Sequence, residues 1–350
     1  MTRVEQPAQV VAFEPSLGRD ARIGSWEDLA KGTFRVSVEK LEAREFESAA
    51  TLVEVSVLEA EELRDVYERW PTTVVEWIKS HGVPTRDVDR ELERLTGLIG
   101  ETAMDGIAAE WPQFLRAVDC AAELCRSRDS GAVNAIEAAR IVWLGIHDRA
   151  VDRLSGLIDI AVRMVGESSL GDLWNFLMDE WYPVHARYSL SHQPWSESAH
   201  QLMIAIVDGF HAHLAGSSRQ GDIELIEEED RIGFRFAPCG SGGRSVDRSI
   251  TDGSPLAGPP YDFAVTTEPH DWAWNTRGIC SYCVHCCLLN ELIPIDRLGY
   301  PTRVIDPPTW PNDGSSVNAC TWWVYKHPSL VPDSVYLRVG RSPVVRPDPE

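Results

Sequence analysis

The segment Cys280-Ser-Tyr-Cys283-Val-His285-Cys286-Cys287 places four cysteines and one histidine within eight residues. Thiolates and imidazoles are soft metal ligands, and a C-x-x-C turn brings two thiolates onto one ion. Half of the eight cysteines of the chain fall in this window. The segment therefore predicts that the C-terminal part of the chain is a small domain built around a metal.

A tetrahedral site needs ligands from outside this window, because adjacent cysteines such as Cys286 and Cys287 point in different directions. Upstream donors are present in the segments Pro-Cys-Gly-Ser-Gly-Gly-Arg (238–244) and Pro-His-Asp-Trp (269–272). With Zn²⁺ as the metal, the preferred ligand set combines two upstream and two window residues: Cys239, His270, Cys283 and Cys286. The spacing leaves open whether another donor replaces one of them: Cys280, His285, Cys287 or Cys320.

Two other interpretations of the cysteines remain. The C-x-x-C-x-x-C spacing of Cys280, Cys283 and Cys286 also occurs in iron–sulfur proteins, but the fourth cysteine followed by proline is missing here. Zn²⁺ is therefore preferred to an iron–sulfur cluster. The third interpretation is a set of free cysteines that contains one redox pair.

The composition limits the function classes. A chain of 350 residues with 43% hydrophobic residues is typical of globular proteins, and its net charge of −21 argues against nucleic acid or an anionic membrane as partner. The N-terminus has no signal-peptide pattern, and no run of 18 apolar residues is present. A cytoplasmic location with reduced cysteines is the expectation.

Apolar periodicity and local residue composition divide the chain into four parts: an arm (1–36), a helical domain (37–221), a metal-binding α+β domain (222–342) and a tail (343–350). Spacings of three and four residues predict five helices, at 58–67, 88–99, 110–125, 133–165 and 196–214. Alternation predicts a hairpin from 223–226 and 232–236, then three β segments at 302–305, 321–325 and 335–339. The predicted class is α+β, an all-α domain followed by a small, mixed, β-rich and metal-stapled domain.

The turn after Cys239 is a candidate substrate site. Its glycines can adopt positive φ and turn backbone N–H groups inward to form an anion-binding nest. The arginine that follows offers a planar fork for a carboxylate or phosphate. The substrate-binding candidates are Ser241, Gly242, Gly243, Arg244 and, as a charged pocket wall, Lys326.

Three histidines are candidates for acid–base catalysis. His147 lies on the apolar stripe of the longest predicted helix, where a hydrogen-bonded core histidine is the alternative. His185 lies in a Trp-Tyr-Pro context, and His285 lies inside the cysteine window. His211 and His213 are two residues apart and point in different directions on a helix, so they are not expected to share a metal.

The C-terminal third resembles a group of poorly characterised bacterial proteins. The similarity covers roughly residues 200–340 and comprises the Pro238–Arg244 turn, a histidine followed by aromatics at 270–274, the Tyr-Cys-x-His-Cys knuckle at 282–286 and Tyr-Lys-x-Pro at 325–328. The resemblance implies one site, made of Cys239, His270, Cys283, His285 and Cys286. It implies no reaction.

These observations favour a zinc-dependent enzyme that acts on a small carboxylated substrate, by hydrolysis, lyase-type cleavage or activation of a thiol. The first alternative is a non-enzymatic binding or assembly module with structural zinc, whose helices form a homodimer or bind a partner. The second alternative is a thiol-based redox sensor.

Overall fold

A computed structural model describes residues 9–247, 255–312 and 318–343 of the chain. Helices come first and a small antiparallel sheet follows near the C-terminus, as the α+β prediction requires. The α-helices are α1 (Trp26–Leu29), α2 (Thr33–Glu42), α3 (Phe46–Ser80), α4 (Thr85–Ile99), α5 (Glu101–Met104), α6 (Ile107–Arg126), α7 (Ala132–Val165), α8 (Leu170–Leu177), α9 (Trp181–His185), α10 (Trp195–Ala212), α11 (Val284–Cys287), α12 (Ile293–Leu298) and α13 (Asp333–Arg338).

The strands form two antiparallel sheets. The strands are β1 (Val11–Glu14), β2 (Arg19–Arg22), β3 (Glu224–Glu227), β4 (Arg231–Phe236), β5 (Val304–Asp306) and β6 (Cys320–Tyr325). β1 and β2 form a hairpin, and the other four are ordered β3-β4-β6-β5. Phe234 is aligned with Trp322, and Ile305 is aligned with Trp322 on the other side.

All five predicted helices are present, and the longest prediction agrees best with the structure. α7 begins at Ala132 and ends at Val165, where Gly166 caps it with φ 115°. Its sequence is apolar on more than one face, so it is buried among α2, α3, α4 and α6. α7 therefore forms the centre of the helical part, and its Asp152 carboxylate contacts Arg244 of the C-terminal part.

One predicted strand is wrong. Residues 335–338 belong to α13, which begins after the extended residue Pro332 with Asp333 in its first turn, and Val339 is the C-cap of this helix. Val335 and Val339 are buried while Leu337 is 62% exposed. That spacing of four residues matches a helix rather than the alternation expected of a strand.

The predicted arm and tail are only partly described. The arm contains the β1–β2 hairpin, α1 and the start of α2, whereas residues 1–8 lie outside the described ranges. Arg22 at the end of β2 is buried and donates to the carbonyls of Lys31 and Asp28. The predicted tail lies outside the described residues except for its first residue, Pro343.

The helices and the C-terminal sheet share one continuous hydrophobic core. Phe210 of α10 stacks on Phe236 of β4 with ring centroids 3.6 Å apart. Trp195 Nε1 of α10 donates to the carbonyl of Tyr325 at 2.8 Å. The proposed boundary at residue 222 therefore crosses a packed interface, and separate folding of the two parts stays a prediction.

None of the helices in the described ranges combines the length and apolarity needed to cross a bilayer.

Candidate functional site

A cavity of about 60 Å³ lies where the C-terminal end of α10, the turn after β4, α11 and the β5–β6 edge meet. Four thiols and two imidazoles line it together with a polar turn and aromatic side chains. The chemically active lining residues are Cys239, Cys283, Cys286, Cys320, His213 and His285. Three of the four predicted metal ligands therefore lie on one cavity, as do the substrate candidates Ser241 and Gly242.

The turn that carries Cys239 reaches the cavity because two of its residues have no side chain. Gly240 has φ 86°, and a Cβ there would lie 1.9 Å from the carbonyl oxygen of His213. A Cβ on Gly242 would lie 2.5 Å from Cys283 Sγ. The glycines predicted to form an anion nest thus allow the turn to pack between the end of α10 and the cysteine knuckle.

Cys280 and Cys283 form a close pair, with Sγ atoms 3.0 Å apart. Cys280 caps the short 3₁₀ turn that begins the knuckle, and its sulfur accepts from the backbone N–H of Cys283. Burial raises the pKa of Cys280, but its hydrogen bonds with the Cys283 side chain and with backbone N–H groups bring it below the ordinary value. The hydrogen bond between the two side chains, together with burial, raises the pKa of Cys283 well above that value.

The other thiols of the cavity are held in the protonated form. Burial raises the pKa of Cys286 and Cys320 well above the ordinary value, although the nearby Arg303 acts in the opposite direction on Cys286. Burial also raises the pKa of Cys239, against the hydrogen bond that Gly243 N–H donates to its sulfur at 3.0 Å. Deprotonation of these thiols therefore requires a cation or another partner.

A hydrogen bond at Nδ1 orients the ring of His285. Nδ1 lies 2.6 Å from the carbonyl oxygen of Tyr282, which only a protonated Nδ1 can bond. Nε2 is then unprotonated, and it lies 3.4 Å from Cys286 Sγ. Burial lowers the pKa of His285 to about 4, so the imidazole is neutral at pH 7. A neutral histidine whose Nδ1 donates to a carbonyl has the arrangement of a metal ligand.

A chain of buried hydrogen bonds leads from the cavity into α7. His213 Nδ1 lies 2.9 Å from His147 Nε2, and His147 Nδ1 lies 2.9 Å from Asp148 Oδ1. Although burial raises the pKa of Asp148, bonds from His147 and Arg219 bring it below the ordinary value, so Asp148 accepts. His147 then carries its proton on Nδ1 and accepts at Nε2, which assigns the His213 proton to Nδ1 and leaves its Nε2 as a base.

His147 was predicted as a catalytic residue, and the structure places it one hydrogen bond behind the cavity. His213 lines the cavity itself and was not predicted. The sequence argument that His211 and His213 point apart agrees with the structure, because His211 instead bonds the carbonyl of Leu29 and Glu59 Oε1. Only the tertiary structure shows which of these two histidines lies beside the cysteines.

Arg244 points away from the anion nest that was predicted for it. Its Nη2 lies 3.1 Å from Asp152 Oδ2 and its Nε lies 3.4 Å from Asp148 Oδ2. Arg219 makes a two-point contact with Asp148 at 2.7 and 3.0 Å. Burial raises the pKa of Asp152 to about 6, with Arg244 opposing and Asp148 reinforcing that shift. Two arginines and two α7 carboxylates therefore neutralise one another here.

The remaining predicted residues lie away from the cysteine cavity. His270 Nε2 lies 2.9 Å from Glu167 Oε1, and its ring stacks on Trp272. Lys326 is 41% exposed in its side chain and donates to the carbonyl of Glu228. His185 lines a different cavity, between α9 and α12.

Within residues 9–247, 255–312 and 318–343, no group of three or more histidine, cysteine, aspartate or glutamate side chains is arranged to hold a metal ion. In comparisons with known proteins, no family model, no curated protein and no solved structure matches the chain. The candidate site must therefore be interpreted from its own geometry.

Proposed function

We propose that the chain is a zinc-dependent enzyme whose reactive centre is the cysteine cavity. The supporting observation is that four thiols and two neutral imidazoles line one enclosed space. Thiol and imidazole are the donor set that Zn²⁺ prefers. In this proposal the metal also links the turn after β4 to the cysteine knuckle. Folding of the small C-terminal part would therefore depend on the metal.

The proposed ligands come from Cys239, Cys283, Cys286 and His285, with one tetrahedral position left open to water or substrate. His285 takes the place first given to His270, because His285 lines the cavity with an unprotonated Nε2 whereas His270 bonds Glu167. Binding would turn the thiol side chains toward the centre of the cavity and release their protons.

The proposed reaction is cleavage of a small carboxylated compound, or activation of a thiol group. A zinc ion polarises a carbonyl group or lowers the pKa of bound water or of a thiol. His213 would accept the proton at Nε2, and His147 and Asp148 would hold it in the required tautomer and orientation. Because burial lowers the pKa of both His147 and His213, both imidazoles are neutral and able to accept a proton at pH 7.

The metal is tested by elemental analysis of protein purified without added metal, for the native chain and for Cys286→Ala and Cys287→Ala. Cys287 is the matched control, because it is fully buried beside Cys286 but bonds the carbonyl of Asp271 and does not line the cavity. We expect about one zinc per chain in the native protein and in Cys287→Ala, and loss of zinc in Cys286→Ala.

The same measurement separates the alternatives. Iron with acid-labile sulfide would identify a cluster instead of zinc. Absence of metal from the native protein would contradict the zinc proposal. If zinc is present, a ligand that coordinates it directly, such as azide or a thiol, must alter the spectrum of the Co²⁺-substituted protein. An unchanged spectrum would leave a closed, structural zinc and a binding module.

A second function, thiol-based redox sensing, is favoured by the Cys280–Cys283 pair. Its sulfur atoms are 3.0 Å apart, and the pKa of Cys280 is lowered while that of Cys283 is raised. A thiol of lowered pKa beside a thiol of raised pKa is the arrangement of a reactive dithiol. Hydrogen peroxide would oxidise the two thiols to one disulfide and be reduced to two molecules of water.

Mass spectrometry after peroxide treatment and alkylation tests this second function. We expect a Cys280–Cys283 disulfide that forms before other cysteines react, and that dithiothreitol reverses. Cys125 is the control. It is buried in α6, far from Cys280 in the sequence, and burial raises its pKa. Equal oxidation of Cys125 and Cys280 would argue against a dedicated pair.

A further inference from the structure

Three arginines surround His185 without a carboxylate to neutralise them. Arg187, Arg297 and Arg303 all act to lower the pKa of His185, which burial brings to about 3. Over the described ranges, none of the three forms an ion pair with Asp or Glu; Arg297 lies over the ring of Tyr182 and Arg187 over that of Tyr188. In a chain with 54 acidic and 33 basic residues, such a group is unexpected.

Arg303 is the buried member of this group. Its side chain is 8% exposed, and its Nε has no hydrogen-bond partner among the described residues. The guanidinium lies over the ring of Trp322, 5.3 Å from the ring centre. Removing a guanidinium from water without an anion is strongly unfavourable, so this position is stable only if something else supplies negative charge.

Three other buried arginines have oxygen acceptors for their guanidinium groups. Arg140 and Arg219 each bond a carboxylate, from Glu137 and Asp148 respectively, whereas Arg22 donates to the backbone carbonyls of Lys31 and Asp28. The lack of such an acceptor at Arg303, among the described residues, is therefore informative.

A second cavity, of about 170 Å³, adjoins the arginine group between α9 and α12. His185 and Arg297 line it, and the rest of the lining is mostly apolar: Tyr182, Pro183, Ala186, Ile293, Pro294 and Leu298. His185 Nδ1 is buried and has no partner among the described residues, and the same is true of Nε of Arg187, two residues further along the chain. An apolar cavity with polar groups at one end is typical of a small-molecule site.

We propose that Arg303, Arg187 and Arg297 bind the carboxylate or phosphate group of a small molecule whose apolar part occupies the α9–α12 cavity. The oxyanion accepts the hydrogen bonds that Arg303 Nε and Arg187 Nε leave unused, and His185 remains neutral beside it.

This site is connected to the cysteine cavity. Arg303 opposes the rise in the pKa of Cys286, and Trp322, over which Arg303 lies, is part of the lining of the cysteine cavity. The anion site deepens the proposed function. It rests on that function in one respect only, namely that the bound anion is the substrate of the zinc enzyme. It replaces Arg244 by Arg303 as the residue that holds the anion.

Thermal unfolding in sodium phosphate, compared with sodium chloride at equal ionic strength, tests the anion site. The variants are Arg303→Met and, as a control, Arg338→Met, in which the replaced arginine is partly buried and pairs with the buried carboxylate of Glu291. We expect phosphate to raise the native Tm by roughly 3–6 °C at saturation. Arg338→Met should unfold at lower temperature but keep its response to phosphate.

Arg303→Met should lose the phosphate response and, in chloride, have a Tm equal to or above that of the native protein, because an unpaired buried charge is removed. If Arg303→Met does not fold, Arg187→Met carries the test, with a weakened response expected. A native protein that does not respond to phosphate, or an Arg303→Met or Arg187→Met protein that responds as the native one does, would overturn the proposal.

The same titration on Cys286→Ala distinguishes this proposal from the zinc enzyme. Because the arginines hold the anion without the metal, Cys286→Ala should respond to phosphate as the native protein does. Loss of zinc with an unchanged phosphate response supports the anion site alone. Loss of the response in Cys286→Ala would contradict an arginine site that is independent of the metal.

Discussion

Two groups of arginines adjoin the cysteine cavity, and they differ in what neutralises them. Arg219 and Arg244 face Asp148 and Asp152 of α7, and they connect to the cavity through His147 and His213. Arg303 and its neighbours face aromatic rings and the thiol of Cys286 instead. The first group carries its own counter-charges, whereas the second has none among the described residues.

This difference separates the parts of the site that fix geometry from the part that is open to a ligand. A compensated cluster holds side chains in one arrangement and orients the histidine chain. An uncompensated cluster destabilises the protein by itself and becomes favourable only when an anion binds. Substitution of an arginine should therefore affect stability differently in the two groups.

The largest effect is expected for Arg219→Met in the compensated group. Arg219 is 7% exposed, and it bonds Asp148 at two points and the carbonyl of Leu214. Its removal leaves Asp148 with a single arginine, so the free energy of unfolding should fall by about 3–5 kcal/mol in urea titrations. Arg303→Met, of the same chemistry, should not be destabilised.

The control for Arg219→Met is Arg35→Met. Arg35 pairs with Asp222 and Glu39, but its side chain is 49% exposed. Exposed ion pairs contribute about 0–1 kcal/mol. A similar loss of stability in Arg219→Met and Arg35→Met would contradict the view that burial makes the α7 cluster a structural element.

The sequence predicts the helices more accurately than it predicts the cysteine cavity. A long apolar period defines α7 almost to the residue, because 3.6-residue periodicity over many turns leaves few alternatives. Segment 335–339 was assigned to a strand because five residues cannot distinguish the two periods, and burial at Val335 and Val339 decides for α13.

The candidate site was predicted only in part, for physical reasons. Dense cysteines in one window indicate reactive chemistry without tertiary information, and Cys239, Cys283 and Cys286 do line one cavity. Arg244 was interpreted as free because a sequence does not show that Asp148 and Asp152, one helical turn apart, face it. For the same reason Arg303 carried no signal, since the absence of a partner is a tertiary property.

The second prediction concerns the pH dependence of the compensated group. Burial raises the pKa of Asp152 to about 6 from its ordinary value of 3.8. Between these values the folded protein holds more protons than the unfolded chain, so the free energy of unfolding falls as pH rises from about 4 to 6. The loss is of the order of 3 kcal/mol.

Asp152→Asn should remove this part of the pH dependence, because asparagine does not ionise. Urea titrations of both proteins at about pH 4, 5, 6 and 7 measure the difference in their free energies of unfolding. The variant should be relatively more stable at pH 7 than at pH 4 when each is compared with the native protein. Parallel curves for the two proteins would show that Asp152 is ionised throughout.

A smaller effect is expected at the neutral contact between α3 and the cysteine knuckle. The hydroxyls of Tyr67 and Tyr282 are 2.8 Å apart, both residues are buried, and burial raises the pKa of Tyr67. Tyr282→Phe should reduce stability by about 1–2 kcal/mol because it leaves one buried hydroxyl without a partner.

The double variant Tyr67→Phe with Tyr282→Phe sharpens this test. Removing both hydroxyls leaves no unsatisfied group, so the double variant should be more stable than the sum of the two single changes predicts. Strict additivity would mean that this contact does not couple the helical part to the knuckle, and it would support separate folding at the boundary proposed near residue 222.

The smallest effect is expected for Lys326→Ala, which tests whether any cation near the sheet can serve the anion site. Lys326 is partly exposed at the end of β6, where it donates to the carbonyl of Glu228 and lies 3.7 Å from Glu227. Its removal should change stability by less than about 0.5 kcal/mol and leave the phosphate response intact. The reason is that Lys326 is already hydrated and paired, so an anion gains little from it. A weakened phosphate response in Lys326→Ala would mean that the anion binds outside the protein core, and that the buried charge of Arg303 is not what attracts it.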